Sequence, residues 1–340
     1  MSYWTTVTPI NESYSLVDIK GDELPQKDKE IFNSFKDHLI DFYKEGNLLF
    51  VYRGETFKRL KKRLFSNYDD FSESKLHERI FLIGEKARHF YTDKPENSTS
   101  RGWLTNINDS SNETFSHLFK RIGNVLSTSG LEHRIYQSCS SRFRKYFSDS
   151  KNCQDFLDLI NAATDAGDEK RLKLRDYYLY FLHVAGSAGI REETMLVSTS
   201  LSIETSENFA GEKDSDALTL CGFIPQPYHN FMVSPWLASE YHAIASNHSC
   251  PTYQPFGLFP EQFEASIKGA LFPCFILGIK QIKNKKFVVN PHIFDINNFY
   301  DAGKHGILVD QSNFMNSILS TKYMRFLSTD LQGNFEQYEL

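Results

Sequence analysis

Apolar residues at Ile31, Phe32, Phe35, Leu39, Phe42 and Tyr43 recur every three to four positions and predict a helix. Gly46-Asn47 supplies its stop. The spacing then changes to a continuous run, Leu48 to Tyr52, ending in Arg53-Gly54, which predicts a strand. Helical periodicity returns at Ile80, Phe81, Ile83, Ala87, Phe90 and Tyr91, and again at Phe115, Leu118, Phe119, Ile122, Val125 and Leu126. Phe156, Leu157, Leu159 and Ile160 predict a further helix, and residues 172–185 another, rich in Tyr and Leu. Residues 1–24 are polar and read as an irregular lead-in, and 92–111 as a break rich in Pro, Asn and Ser. After Gly189 short apolar stretches alternate with Gly, Pro and Asn clusters. Strands are expected at 195–201, 216–223, 228–233, 262–267, 273–279, 286–289 and 306–309, and a helix capped by Ser234. The stretches 262–267 and 273–279 read as two strands joined by a Gly-containing turn.

This pattern predicts an α+β protein in four segments: a lead-in and helix over 1–47, a first core strand over 48–55, a helical insertion over 56–190, and the rest of the core over 191–340. Hydrophobic residues make up 40% of the 340 residues and aromatics 14%, with 29 Phe and 17 Tyr, so an aromatic-rich core is expected. A net charge of −5 argues against a uniformly basic surface while leaving room for a local basic groove. Five cysteines without C-x-x-C spacing signal neither a disulfide framework nor a zinc site, so no metal is expected and the thiols read as reduced. The first residues lack a basic-then-apolar signal pattern and no apolar run reaches membrane-spanning length, which leads to the expectation of a cytoplasmic protein with no membrane partner. Lys58 to Arg63 carries five basic residues in six positions, read first as a solvated helix face and second as a phosphate-facing patch.

The chemistry-bearing residues fall on three predicted strands. Arg53-Gly54 closes the first, Ser198-Thr199-Ser200 sits within the second, and Gln262-Phe263-Glu264 opens the third. Strand alternation places Gln262 and Glu264 on one face. An Arg, a Ser-Thr-Ser strand and a Gln-x-Glu in this order resemble the R-S-E class of mono-ADP-ribosyltransferases, the cholera-toxin-like clade. The resemblance covers residues 48–55 and 194–280 and leaves out the predicted helical block. It implies an ADP-ribosyltransferase-like split β-sandwich around an NAD cleft, with a large helical insertion, and NAD as co-substrate. Arg53 and Gly54 would hold the NAD phosphates, since a guanidinium fork matches phosphate geometry. Ser198 would order Glu264, Thr199 and Ser200 would line the nicotinamide end, and Glu264 would bond the ribose 2′-hydroxyl. Its charge would stabilise the oxocarbenium-like cation that forms as the nicotinamide bond breaks. The chain carries no G-x-G-x-x-G for a dehydrogenase.

Gln262, in place of a second Glu, is associated in such enzymes with acceptors other than arginine, and would orient the nucleophile. The preceding segment, 250–260, matches the position of the family's target-recognition loop, where Tyr253 and Phe256 are candidates to stack a base. Phe259 reads as packing beneath the loop. Basic residues at 58–63, Arg142, Arg144, Lys145 and 283–286 suit nucleic acid. The resemblance extends to toxins of bacterial toxin–antitoxin and phage-defence systems, which implies an antitoxin partner and a nucleic-acid target, RNA before DNA. The alternatives are an effector modifying a non-arginine side chain of a protein such as a small GTPase, and a catalytically inactive binding module.

Overall fold

The apolar run that ends in Arg53-Gly54 forms a nine-residue strand at the centre of a mixed sheet. The structure, a computed structural model, describes residues 14–64, 72–85, 109–128, 133–165, 168–194, 196–211, 216–271 and 273–295. In chain order the first elements are β1 (Ser15–Val17), α1 (Gln26–Lys44), β2 (Leu48–Thr56), α2 (Phe57–Leu64) and α3 (Glu73–Ile83). The helices α4 (Asn112–Ser127), α5 (His133–Ser138), α6 (Ser141–Ser148), α7 (Asn152–Ala163), α8 (Glu169–Ala185) and α9 (Ala188–Glu193) follow. The chain continues through β3 (Leu196–Ser200), α10 (Ile203–Ala210), β4 (Ala217–Pro225), β5 (Met232–Val233) and α11 (Pro235–Asn247). It ends in β6 (Glu264–Lys268), β7 (Ile276–Gln281) and β8 (Lys286–Val289). The protein is thus of mixed helix and strand, and it divides into two compact units.

The strand-rich unit takes the described residues of 14–85, 199–228 and 270–295. Its strands run in the order β1-β8-β7-β4-β2, parallel between β1 and β8 and antiparallel elsewhere, and Tyr52 of β2 pairs with Ser200 at the end of β3. One apolar face is covered by α1, whose buried Phe32, Phe35, Leu39 and Phe42 occupy one side of the helix; Phe32 meets Phe287 and Phe35 meets Phe223. Gly46, at φ 79°, ends α1 in the left-handed conformation that glycine adopts without strain. α10 lies on β2 with its backbone against Gly54, where the Cβ of any other residue would sit inside the Ser206 carbonyl oxygen and 2.8 Å from Ala210 N. The lack of a side chain at Gly54 is therefore required by packing against α10.

The helix-rich unit takes the described residues of 109–198 and 229–269. At its centre is α8, in which every residue from Leu174 to His183 is buried, as a helix wrapped on all sides requires. Phe115, Phe119, Phe143, Phe147, Phe156 and Tyr178 interlock at centroid spacings of 4.7 to 6.1 Å, the aromatic core that the composition foretold. β6 pairs with β5 and has β3 as its other neighbour. β3 is divided between the units after Ser198.

Three expectations change here. The helical segment 56–190 is not one body, because α2 and α3 pack in the strand-rich unit while α4 to α9 share a unit with α11, β5 and β6. Glu85 just beyond α3 exchanges backbone hydrogen bonds with Leu271, which ties that end to the late strands. The stretches 262–267 and 273–279 do not pair as a hairpin, since β7 lies between β4 and β8 and belongs to the other unit from β6. In both of those stretches a turn of 3-10 helix, Pro260–Gln262 or Pro273–Phe275, replaces the start of the expected strand. The strand expected at 306–309 lies outside the described residues. Among the described residues no helix is long and apolar enough to cross a membrane, and Cys139, Cys153, Cys221 and Cys250 are free thiols.

Candidate active site

Glu264 opens β6 and is 8% exposed. Strand alternation places Glu264, Ser266 and Lys268 on one face, and these three polar side chains form a buried row. α8 supplies their partners. His183 lies 3.4 Å from Glu264, and Asp176 is ion-paired with Lys268. The two α8 residues are seven apart, two helical turns, so they share a face, and the order of the two contacts sets α8 antiparallel to β6. Asp176 also holds Arg175 at 2.5 Å, and burial, the largest influence, holds Lys268 below the usual lysine pKa despite Asp176. This inner end of the row anchors helix to strand.

The outer end carries the reactive groups. Ser266 Oγ donates to Glu264 Oε1 at 2.9 Å, and His183 Nε2 is 2.9 Å from Ser198 Oγ. On the other side of the ring, Nδ1 is 3.0 Å from Thr194 Oγ1, whose own proton goes to Arg191 O at 2.7 Å. Nδ1 therefore donates to Thr194. Nε2, on the opposite side of the ring, therefore faces Ser198 and Glu264. Burial alone would raise the Glu264 pKa. Hydrogen bonds from His183, Ser266 and Ser198, with the charge of His183, outweigh it, and the carboxyl is held below its ordinary value. Tyr180, one turn from His183, is pushed well above the usual tyrosine range by its own burial and by the Glu264 charge. Glu264 is thus a buried carboxylate maintained as an anion.

This is not a hydrolase triad. There the carboxylate orients the imidazole through Nδ1, whereas here Thr194 occupies Nδ1 and Glu264 shares Nε2 with Ser198. The group arranged to be charged is the carboxylate, and the imidazole serves it. Replacing His183 with Gln keeps a hydrogen-bond donor and removes the imidazole that helps hold the Glu264 carboxyl down. Burial is then less opposed, so the Glu264 pKa rises, as read by NMR titration of the carboxyl in the folded variant. A Glu264 titration that stays in place in His183→Gln removes His183 from this role.

Other expected site residues are placed differently. Gln262 is half-buried in the 3-10 turn before β6, and Phe263 between it and Glu264 has a φ of 48°, so alternation does not carry from Glu264 back to Gln262. Gln262 and Glu264 are therefore not side by side on one strand face. Tyr253 is 1% exposed, stacks on Tyr177 at 4.4 Å, and donates from its hydroxyl to Tyr177 O. It is a core residue, and its ring is not available to a base. Phe256, by contrast, is 54% exposed. Phe259 is half-buried with the Arg134 guanidinium 5.9 Å from its ring.

In the strand-rich unit, Thr199 and Ser200 are buried, and Ser200 Oγ accepts from Ser202 N–H at 3.0 Å in the turn before α10. Arg53 is held by two carboxylates, Glu55 at 2.6 Å and Glu85 at 3.2 Å. Arg63 completes the group at 2.8 Å from Glu55 and 2.5 Å from Glu85. Of the basic run, Lys58, Arg59 and Lys62 form the solvated face while Leu60 and Arg63 turn inward.

The sequence reading missed His183, Thr194 and Ser266, and Glu55 and Glu85 around Arg53. Ser266 was within reach, because it lies two residues after Glu264 on a strand. His183 carried a weaker signal, an ionisable residue in the last turns of a helix that are otherwise aromatic or apolar on every side, Tyr177 to Ala185. Among the described residues, no group of three or more His, Cys, Asp or Glu is placed to hold a metal ion. No protein-family model matches the chain, and neither a curated protein nor a solved structure similar to it was found.

Proposed function

We propose that the protein is an NAD-dependent mono-ADP-ribosyltransferase that moves ADP-ribose onto an intracellular macromolecule and releases nicotinamide. The observation that carries the reading is Glu264, a buried carboxylate kept ionised by His183, Ser198 and Ser266. Cleavage breaks the bond between the ribose C1′ and the nicotinamide nitrogen. The bonding pair leaves with nicotinamide, and positive charge builds on the ribose. A fixed anion in a low-dielectric site stabilises that charge as it forms, and it needs no reorganisation at the moment of reaction. Glu264 also accepts from the ribose 2′-hydroxyl, and Ser198 and His183 position it. The reading carries with it an ADP-ribosyltransferase-like split β-sandwich as the fold behind this chemistry.

In this reading Arg53 exchanges a carboxylate for an NAD phosphate when NAD binds. A second reading, a catalytically inactive binding module, is favoured by one observation: the Arg53 guanidinium is engaged with Glu55 and Glu85. Incubation with NAD labelled in its ADP-ribose part, with nicotinamide measured in parallel, separates the two. Transferase activity gives stoichiometric nicotinamide release and label on a macromolecule. Folded protein that fails to bind NAD in calorimetry and releases no nicotinamide is the inactive binding module, and that result ends the transferase reading.

A further inference from the structure

Among the described residues four large apolar side chains are exposed, and three of them, Tyr136, Phe256 and Phe263, lie on α5 and the 254–263 loop of the helix-rich unit. The two segments adjoin. Gln254 N–H donates to Ser138 O at 2.9 Å, Cys139 bridges to Tyr253, and Arg134 is ion-paired with Glu261. Tyr136 is 51% exposed yet rigidly placed, with the Arg144 guanidinium 3.8 Å from its ring centre. That guanidinium is fixed in turn by donating to Tyr136 O at 2.8 Å and to Cys139 O. Residues 133–148 contain Arg134, Arg142, Arg144 and Lys145 and no Asp or Glu. The acid on the facing loop, Glu261, is neutralised by Arg134.

We infer that α5, the start of α6 and the 254–263 loop form a binding surface for single-stranded nucleic acid. Exposed rings take the faces of unpaired bases, and Arg142 and Lys145, both exposed, meet the phosphates between them. A duplex hides its base faces, so rings of this kind select single strands. An apolar protein partner would leave the cations without counter-charges. The loop runs directly into the candidate site, since Phe263 immediately precedes Glu264. The inference deepens the proposed function by naming its acceptor class, and it rests on that reading only for the transfer step.

Binding is therefore measured without NAD, by fluorescence anisotropy, using labelled single strands of about twenty nucleotides of mixed RNA or DNA sequence and the matching duplex. Tyr136→Ala and Phe256→Ala are each expected to weaken single-strand binding about 5- to 150-fold, the loss of one stacked base, while Tyr136→Phe binds as the parent does. Arg142→Ala and Lys145→Ala should each lower the slope of log affinity against log salt by about 0.7. Tighter binding of RNA names RNA as the acceptor, and tighter binding of DNA names DNA. Equal binding of the duplex, no binding of either single strand at about 50 mM salt, or affinity unchanged in both alanine ring variants overturns the inference. Nicotinamide release without strand binding keeps the transferase reading and turns the acceptor toward protein. Strand binding without nicotinamide release leaves the surface standing and removes the reading.

Discussion

Glu264→Gln is expected to lower nicotinamide release by about 10²- to 10³-fold, the usual cost of losing one preorganised electrostatic group. The change conserves shape and removes a charge. Ser266 Oγ and Ser198 still find an acceptor in the amide oxygen, so the buried row stays filled. In the proposed reaction what disappears is the anion facing the developing ribose cation, an interaction that grows only in the transition state. The loss should therefore fall on kcat, with KM for NAD little altered. Stability gives an independent readout. A carboxyl whose folded pKa is depressed contributes stability above its unfolded pKa, about 4.3 for Glu, and that contribution is lost as pH falls through the folded value. Glu264→Gln should remove this acid-side component, measured as the pH dependence of the denaturant midpoint. Nicotinamide release at the parental rate from the folded variant would take Glu264 out of the chemistry.

Gly54→Ala is expected to cost at or above about 3 kcal/mol, the upper end of ordinary overpacking. The added methyl would collide with backbone atoms of α10, the Ser206 carbonyl and the Ala210 amide. Trimming a side chain on α10 cannot relieve a clash with main chain, so α10 must lift from β2. Activity and melting temperature should fall together, and a denaturant titration should show the midpoint moving. If Gly54 instead served only NAD, the alanine variant would keep its melting temperature and lose NAD affinity alone. An activity screen by itself would score Gly54 as catalytic, and the paired stability measurement identifies it as steric.

Much of the architecture follows from periodicity. The helix through Phe32, Phe35, Leu39 and Phe42, the strand ending in Arg53-Gly54 and the Ser234-capped helix stand where apolar spacing and capping residues put them. Ser234 Oγ accepts from Leu237 N–H at 3.3 Å, a local bond that six residues of sequence suffice to specify. The division into units was not legible, because it is set by contacts between segments far apart in the chain, such as Glu85 with Leu271. Tyr253 was misplaced for a similar reason: an aromatic in a Pro-flanked loop looks exposed until Tyr177, Phe143 and Phe181 close around it. For the candidate site, Ser198 and Glu264 were found from their order on strands. His183 joins them from another element, and no short spacing in the chain announces that meeting.

The positive φ of Phe263 has a consequence for how this region tolerates length change. Side-chain direction along β6 is fixed only from Glu264 onward, by the pairing of Ser266 and Ile267 with Val233 and Met232. An extra residue placed in the turn before Phe263 leaves that register intact, with Glu264 still facing His183. The same insertion after Glu264 leaves Ser266 paired but turns Glu264 to the opposite face, away from Ser266 and His183. Changes of length in the 254–262 loop are thus uncoupled from the facing of the Glu264 carboxylate, and the exposed surface before β6 can be altered without altering the buried row behind it.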